Sequence, residues 1–286
     1  MNVNYTLLAE KKYNITSQFG EDGIIEFLLS LMNEDIKKTC LEVGAGDGIT
    51  NSNVHNLWSK NGWSALLIDS DPKRFDKLEE ITRDANNVII LKDYIDYKGN
   101  NTIQAISERL GISLANGLIV IDIDSIDCHV FSEISTVNPA ICIVEYNNHI
   151  PPWVDYQDTK SQVFLRCSLK ALERIGNAQG YSLVGATITN AIFVRADLAE
   201  KYRINSAKAE TLYPYAEQHS NRSIWVSYIA SQIVTSYPVF MWKPNHVDYL
   251  YYHIRGLFRA LVLKREPYIL PNDETRLAIR SAGLWV

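Results

Sequence analysis

Five short apolar runs, each leading into polar or glycine residues, constrain the fold of this sequence more than any other feature. They lie at 39–43, 64–68, 87–91, 118–121 and 140–144. Continuous apolar runs of this length are typical of strands that are buried on both faces, as in parallel sheets. The segments between them carry apolar residues at helical spacing, for example in 71–81 and 101–110. Alternating strands and helices predict a doubly wound α/β fold.

The end of this region departs from the parallel pattern. Two further strand-like segments, 181–187 and 190–195, are joined by only Ile188 and Thr189. A link this short requires an antiparallel hairpin, because a parallel crossover needs a dozen residues or more. The prediction is therefore a Rossmann-like, mostly parallel seven-stranded sheet that ends in an antiparallel hairpin. Helices are also predicted over 20–32 and over 168–175, with Gly176 ending the latter.

Residues 203–286 differ in character from the rest of the chain. They are rich in tyrosine and tryptophan, and apolar residues from Ile254 to Val262 follow helical spacing until Pro267. We therefore divide the chain into an α/β domain, 1–202, and a helical C-terminal extension, 203–286. The extension suits an acceptor pocket, a homo-oligomer contact or simple core packing, and the sequence does not distinguish between these.

Composition excludes several classes of protein. Lys and Arg total 28 against 33 Asp and Glu, so the net charge is −5, without the basic surplus typical of nucleic-acid binding. The four cysteines have neither zinc nor redox spacing and are expected to be reduced and buried. We find no apolar core of signal-peptide length and no run near the ~20 apolar residues of a membrane span. These features predict a soluble cytoplasmic protein.

A glycine-rich loop follows the first predicted strand. Gly44, Gly46 and Gly48 lie in the sequence GAGDG, which suits close approach of the backbone to a ligand. Ile49 occupies the place of the third glycine in G-x-G-x-x-G, so NAD and FAD are disfavoured. Asp69 ends the second strand 23 residues after Gly46, where a carboxylate can accept hydrogen bonds from ribose hydroxyls.

Asp93, which follows the third run, is placed to reach an adenine amino group. Acids also end strands simply as turn formers, and this alternative applies to Asp93 more than to Asp69.

The residues 41–48 (LEVGAGDG), the acid at Asp69 and the terminal reversed hairpin together resemble class I S-adenosylmethionine-dependent methyltransferases. The resemblance covers roughly residues 15–200. It implies that the glycine loop lies against the amino-acid part of S-adenosylmethionine, that Glu42 and Asp47 contribute polar contacts there, and that Asp69 holds the ribose.

A narrower resemblance is to the FkbM-type methyltransferases of surface-polysaccharide gene clusters. It is carried by 17–23 (SQFGEDG), 47–53 (DGITNSN), 121–127 (IDIDSID) and 145–147 (EYN), with Ser125 where that group has a glycine. It implies an O-methyltransferase that acts on a hydroxyl of a small polar acceptor, expected to be a sugar or sugar nucleotide.

Acidic residues follow the fourth and fifth strands. Asp122, Asp124 and Asp127 come after the fourth, and Glu145 and Asn147 come at the end of the fifth. The carboxyl ends of parallel strands face one crevice, so these groups are expected to lie together. A hard cation such as Mg²⁺ would offset their repulsion, with Asp122, Asp124, Glu145 and Asn147 as ligands, and would activate the acceptor oxygen. Alternatively, Asp124 and Asp127 cap the following helix.

A general base is the other route to a nucleophilic hydroxyl. His129 and His149 each lie near one of these strand ends, and the pKa of histidine suits proton transfer near neutral pH. A carboxylate, first Asp122 and then Glu145, is the remaining candidate for the base. We favour the base over the metal, with His149 ahead of His129.

Two other functions stay open on the sequence alone. One is a non-catalytic module that keeps the fold for binding or assembly through its C-terminal extension. The other is an NAD-dependent sugar-modifying enzyme, which the glycine spacing disfavours.

Overall fold

A computed structural model of the chain describes residues 2–148, 150, 152, 155–159, 162–212, 225–227 and 232–234. Its main feature is a seven-stranded sheet in the order β3-β2-β1-β4-β5-β9-β8. The strands are β1 Thr39–Val43, β2 Ser64–Asp69, β3 Val88–Lys92, β4 Leu118–Ile121, β5 Ile141–Glu145, β8 Tyr181–Ala186 and β9 Asn190–Arg195. β1 to β5 pair in parallel, whereas β9 is antiparallel to both β5 and β8. The predicted fold class is confirmed.

The α-helices of the described residues connect and cover the strands. They are α1 Tyr5–Ala9, α2 Glu21–Leu31, α3 His55–Lys60, α4 Pro72–Thr82, α5 Ile103–Leu110, α6 Asp127–Phe131, α7 Leu169–Ala178, α8 Ala196–Lys201 and α9 Ala209–Leu212. Side chains alternate across the central strands, so Leu41 and Ile119 join one apolar cluster while Cys40 and Val120 join the other. The sheet is thus covered on both faces.

The third strand differs from the prediction of burial on both faces. β3 lies at the edge of the sheet and has only partly buried and exposed positions, with Ile89 43% exposed. An edge strand has a neighbour on one side only, so an apolar sequence there does not guarantee burial.

The predicted end of the seventh helix at Gly176 is wrong. α7 continues to Ala178, and a Cβ built on Gly176 would lie 2.5 Å from a ring carbon of Phe193. Gly176 therefore allows the helix to pack closely on β9. The chain leaves α7 at Gly180, whose φ of +82° suits glycine.

Two short strands outside the main sheet are absent from the sequence prediction. β6 Gln157–Thr159 and β7 Gln162–Cys167 form an antiparallel pair between β5 and α7. This pair carries Arg166, which becomes important at the site described below.

Residues 204–212 pack on the sheet rather than apart from it. Ile204 forms a parallel bridge with Val3, the amide of Ala207 donates to the carbonyl of Leu183, and α9 packs against α7. Within 213–286 the structure describes the antiparallel strands β10 Trp225–Ser227 and β11 Gln232–Val234. The predicted helix at 254–262 lies outside the described residues, and the domain boundary at residue 202 stays a prediction.

The start of α2 is tied to the far end of the sheet. Glu21 is fully buried, and its carboxylate accepts hydrogen bonds from the Thr187 hydroxyl and, at 3.0 Å, from the Asn190 side chain. These hydrogen bonds compensate for the hydration that the carboxylate loses on burial.

No helix among the described residues is long and apolar enough to cross a membrane.

Candidate functional site

A crevice opens at the carboxyl ends of β1, β2 and β4, where the sequence placed it. It contains a larger cavity of about 590 Å³ and a smaller one of about 190 Å³. Gly44, Arg74, Asp122 and Asp124 line both cavities, so these four residues form the border between them. Ligands of open α/β sheets bind at this edge.

The glycine loop needs its glycines for two different reasons. Gly44, Gly46 and Gly48 have φ values of +80°, +61° and +82°, a region that side chains disfavour. A Cβ on Gly44 would lie 1.7 Å from the carbonyl oxygen of Asp122, so this glycine lets the loop press against the end of β4. A Cβ on Gly46 would meet no atom within 4 Å, and because Gly46 lines the larger cavity, its missing side chain leaves open space there.

Asp69 braces the glycine loop. One of its carboxylate oxygens accepts from the Gly46 amide at 2.7 Å and the other from the Asp71 amide at 2.8 Å. The side chain is only 5% exposed and lines the smaller cavity. Each carboxylate oxygen has a second lone pair, so Asp69 can hold the loop and still accept from a ligand hydroxyl.

Glu42 and Asp47 both line the larger cavity but differ in their surroundings. Glu42 is buried at the end of β1 and accepts from the Ser52 hydroxyl at 2.6 Å and the Asn53 amide at 2.8 Å; burial raises its pKa to about 7. Partial burial acts to raise the pKa of Asp47, but hydrogen bonds from the Thr50 and Ile49 amides lower it overall. The Asp47 carboxylate therefore favours its charged form and stabilises the turn that follows it.

Asp93 lies in the smaller cavity, beyond the end of β3. Its carboxylate accepts from the Asn101 side chain at 2.9 Å and is 3.6 Å from the Arg109 guanidinium. Asp93 and Asp69 line the same cavity, and the predicted contact of Asp93 with an adenine amino group stays a prediction.

Asp122 and Glu145 form a hydrogen-bonded carboxyl pair at the border of the larger cavity. They end adjacent parallel strands, β4 and β5, so the sheet itself brings them together. Burial and the charge of Asp122 raise the pKa of Glu145, and burial also raises the pKa of Asp122. Two acids this close do not both ionise readily, so their titrations are linked and both pKa values are raised.

Arg166 is the residue that sequence reasoning missed. Its guanidinium contacts the carboxylates of both Asp124, at 2.8 Å, and Glu145. The residue has a φ of +64°, and its amide donates to Asp158, which fixes the backbone there. A non-glycine residue with positive φ is uncommon in a strand, but no sequence signal marks this position in advance.

The predicted metal ligands do not assemble into a metal site. Arg166 lies between Asp124 and Glu145, where a cation would have to bind, and Asn147 is buried and lines neither cavity. In the part of the chain that the structure describes, no group of three His, Cys, Asp or Glu side chains is arranged to hold a metal ion. The expectation of Mg²⁺ at these residues is therefore corrected: the offsetting charge is a guanidinium.

Of the two candidate histidines, only His129 lies among the described residues, and it does not face the crevice. His129 is 3% exposed within α6, and its Nε2 is 3.0 Å from the carbonyl oxygen of Asp158, so it belongs to the core rather than to the crevice. His149 lies outside the described residues, and its role stays a prediction.

Asp127 and the 17–23 motif are structural. The Asp127 carboxylate accepts from the Ile123 amide at 2.8 Å and the Ser125 amide at 2.9 Å, and burial raises its pKa to about 6. In the motif, one oxygen of Asp22 accepts from the Ile15, Thr16 and Ser17 amides. Gln18, by contrast, reaches the larger cavity.

No family model and no curated protein matches the chain. Solved structures with a similar fold include a SAM-dependent methyltransferase from Aquifex aeolicus (14% identity, 61% of this chain and 88% of that chain, TM-score 0.36). A second is the Methanococcus jannaschii fibrillarin pre-rRNA processing protein, at 14% identity over 55% of this chain and 66% of that chain, with a TM-score of 0.40. A third is a precorrin-6y C5,15-methyltransferase from Geobacter metallireducens GS-15, at 9% identity over 64% of this chain and 90% of that chain, with a TM-score of 0.39. Identities and scores are low, so the activities of these proteins are not transferred to this chain.

Proposed function

We propose that this protein is an S-adenosylmethionine-dependent O-methyltransferase that acts on a hydroxyl of a small polar acceptor. Gly46 is the observation that carries the proposal. Its backbone has positive φ, its missing Cβ leaves open space at the cavity, and its amide is fixed by Asp69. A backbone presented this way fits a ligand that lies directly on the loop.

The residues of the crevice fit the two halves of S-adenosylmethionine. Asp69 and Asp93 share the smaller cavity, where they can accept from ribose hydroxyls and an adenine amino group. Gly44, Gly46, Asp47 and Glu42 line the larger cavity and would face the amino-acid part. When bound, the cofactor supplies a methyl group on a sulfonium leaving group.

The Asp122–Glu145 pair is the proposed proton acceptor. It borders the cavity, the pKa values of both acids are raised, and Arg166 lies beside it to offset negative charge. In this reaction Asp122 would accept the proton of the acceptor hydroxyl, and the cofactor held by Gly46 and Asp69 would supply the methyl group. Holding the acceptor in line supplies much of the rate, and proton removal adds to it.

The resemblance to FkbM-type enzymes supports a finer proposal. We infer a sugar or sugar-nucleotide acceptor in surface-polysaccharide synthesis, handled in the cytoplasm, where the four free, buried cysteines would stay reduced.

Calorimetric titration with S-adenosylhomocysteine tests the cofactor site. Gly46→Ala places a methyl group where the ligand would lie and should weaken binding at least about tenfold. Gly62→Ala is the matched control, because Gly62 also has positive φ, at +70°, and open space around it. Gly62 precedes β2 and so lies at the amino ends of the strands, away from the crevice. Equal affinity in both variants would contradict the proposed site.

Asp69→Ala is a second variant for the same titration. It removes a charged acceptor from both the loop and the ribose, so affinity should fall by about ten- to a hundredfold. An unchanged affinity would exclude Asp69 from the site. Transfer of a labelled methyl group to a panel of sugars and sugar nucleotides then tests the reaction itself.

A further inference from the structure

We propose that Lys73, Arg74 and Lys77 form an anion-binding subsite that receives a phosphate or diphosphate group of the acceptor. The proposal rests on the proposed function for the identity of the ligand, since it assigns the anion to the acceptor. It narrows the acceptor to a phosphorylated compound, such as a sugar phosphate or a nucleoside diphosphate derivative.

The first observation is the position of these three side chains. They lie in the first two turns of α4, and all three line the 590 Å³ cavity. Lys73 and Lys77 are four residues apart, so they lie on one face of the helix. Arg74 also lines the smaller cavity. The cations therefore form one wall of the crevice.

The second observation is that acids engage these cations only weakly: Lys73 and Arg74 act on Asp71, and Lys77 acts on Asp47, through Coulomb interactions that lower the pKa of each acid. None of them forms an ion pair with another described residue, whereas the salt bridges elsewhere occupy cations such as Arg174, Arg195 and Lys201. Three neighbouring exposed cations repel one another, and an anion in the cavity would relieve that repulsion.

The amides at the start of α4 do not serve as the anion site. One Asp71 oxygen accepts from the Lys73 amide and the Arg74 amide, both at 2.9 Å. With these amides capped, recognition of an anion falls to the side chains. Ammonium and guanidinium groups are the usual partners of phosphate oxygens.

The third observation is the charge distribution across the larger cavity. Five acidic residues line the cavity together with the three cations of α4, namely Glu42, Asp47, Asp122, Asp124 and Glu145, and of these Asp47 is affected by the charge of Lys77. A phosphate is repelled by the acidic side and attracted to α4, so a phosphorylated acceptor would enter in one orientation. That orientation keeps its uncharged hydroxyl end free to approach Asp122, the proposed proton acceptor.

The experiment is a calorimetric titration of pyrophosphate into the full-length protein saturated with S-adenosylhomocysteine, at low salt. Wild type should bind pyrophosphate, and Lys73→Ala/Lys77→Ala should weaken that binding by about tenfold or more. The control is Lys37→Ala/Lys38→Ala, which removes the same charge from exposed residues preceding β1, at the opposite edge of the sheet. The control should change the affinity by less than about twofold, because Lys37 and Lys38 line neither cavity and precede β1, at the amino ends of the strands.

Three results would overturn the subsite: no pyrophosphate binding to wild type, an equal loss in the control variant, or displacement of S-adenosylhomocysteine by pyrophosphate. The last result would assign the cations to the cofactor instead. Failure of the proposed function is separately visible. If S-adenosylhomocysteine does not bind but pyrophosphate binding still depends on Lys73 and Lys77, the anion subsite stands and the methyltransferase assignment fails.

Discussion

The carboxylates of the crevice are held in two different ways. In the glycine-loop region, Asp69 and Asp47 accept hydrogen bonds from backbone amides, and those amides lower the pKa of Asp47 against its partial burial. At the ends of β4 and β5, Asp122 and Glu145 bond to each other, and their pKa values are raised. Amide-bound acids keep their charge and their position, whereas a paired acid can gain or lose a proton. The first region is therefore suited to binding and the second to chemistry.

The strongest test of this comparison is the contact that joins the two regions. Gly44→Ala would place a Cβ 1.7 Å from the Asp122 carbonyl oxygen, a backbone atom that cannot move aside cheaply. We expect a loss of more than about 4 kcal/mol in the free energy of unfolding, or failure to fold. Gly62→Ala, which has only the backbone strain, should cost about 1–2 kcal/mol. Denaturant unfolding measures both, and similar losses would mean that the regions are not in contact.

The next largest effect should come from the carboxyl pair. Asp122→Asn keeps the shape of the side chain but removes the proton acceptor, so turnover should fall by roughly 10²–10⁴-fold while S-adenosylhomocysteine still binds. Asp124→Asn is the control, since its side chain is 79% exposed and touches Arg166 but not Glu145. Comparable turnover in the two variants would remove Asp122 from the mechanism.

Glu42 tests whether amide hydrogen bonds or burial decides the charge of an acid. Burial raises its pKa from 4.5 to about 7 although Ser52 and Asn53 donate to it. The folded state then binds a proton that the unfolded state releases, so stability should fall as the pH rises from about 4.5 to 7, by up to about 1.4 kcal/mol per pH unit.

Glu42→Gln should flatten this dependence, as measured by unfolding at several pH values. The control is Glu80→Gln, which removes an exposed carboxylate from α4. A slope that stays the same in Glu42→Gln would show that Glu42 is ionised in the folded protein.

The smallest effect concerns Arg166. Its positive charge opposes the rise in the pKa of Glu145. Arg166→Gln should therefore raise the pKa of the pair further, and the acid limb of the pH–rate profile should move to higher pH by about one unit. Arg174→Gln removes an exposed ion pair with Asp155 and should leave the profile in place. A shift to lower pH in Arg166→Gln would contradict the assigned role.

Fold and site differ in how well the sequence predicts them. The buried parallel strands, such as β1 and β4, coincide with their apolar runs because burial on both faces leaves a continuous signal. The pair β6–β7 gives no such signal, since it lies outside the main sheet and mixes polar with apolar residues. Gly176 was misread because helix–sheet packing and helix termination both favour glycine.

At the site, acids at strand ends were predictable because topology alone brings them together, as for Asp122 and Glu145. Arg166 was not, because it reaches the same point from β7, 21 residues further along the chain, through a local positive φ. When the contribution of Arg166 is unknown, a cluster of acidic residues at strand ends predicts a metal site. The charge that completes a cluster can come from any segment, and sequence distance does not reveal which.

The bond network of Glu21 also has a consequence for the order of folding. Its buried carboxylate depends on Thr187 and Asn190, which lie 166 and 169 residues later in the chain. During synthesis, α2 can form early, but the Glu21 carboxylate has its hydrogen-bond partners only after the β8–β9 hairpin has left the ribosome. Contacts of such long sequence separation slow folding and make it cooperative. Formation of the β8–β9 hairpin is thus required before the buried Glu21 carboxylate at the start of α2 has its partners.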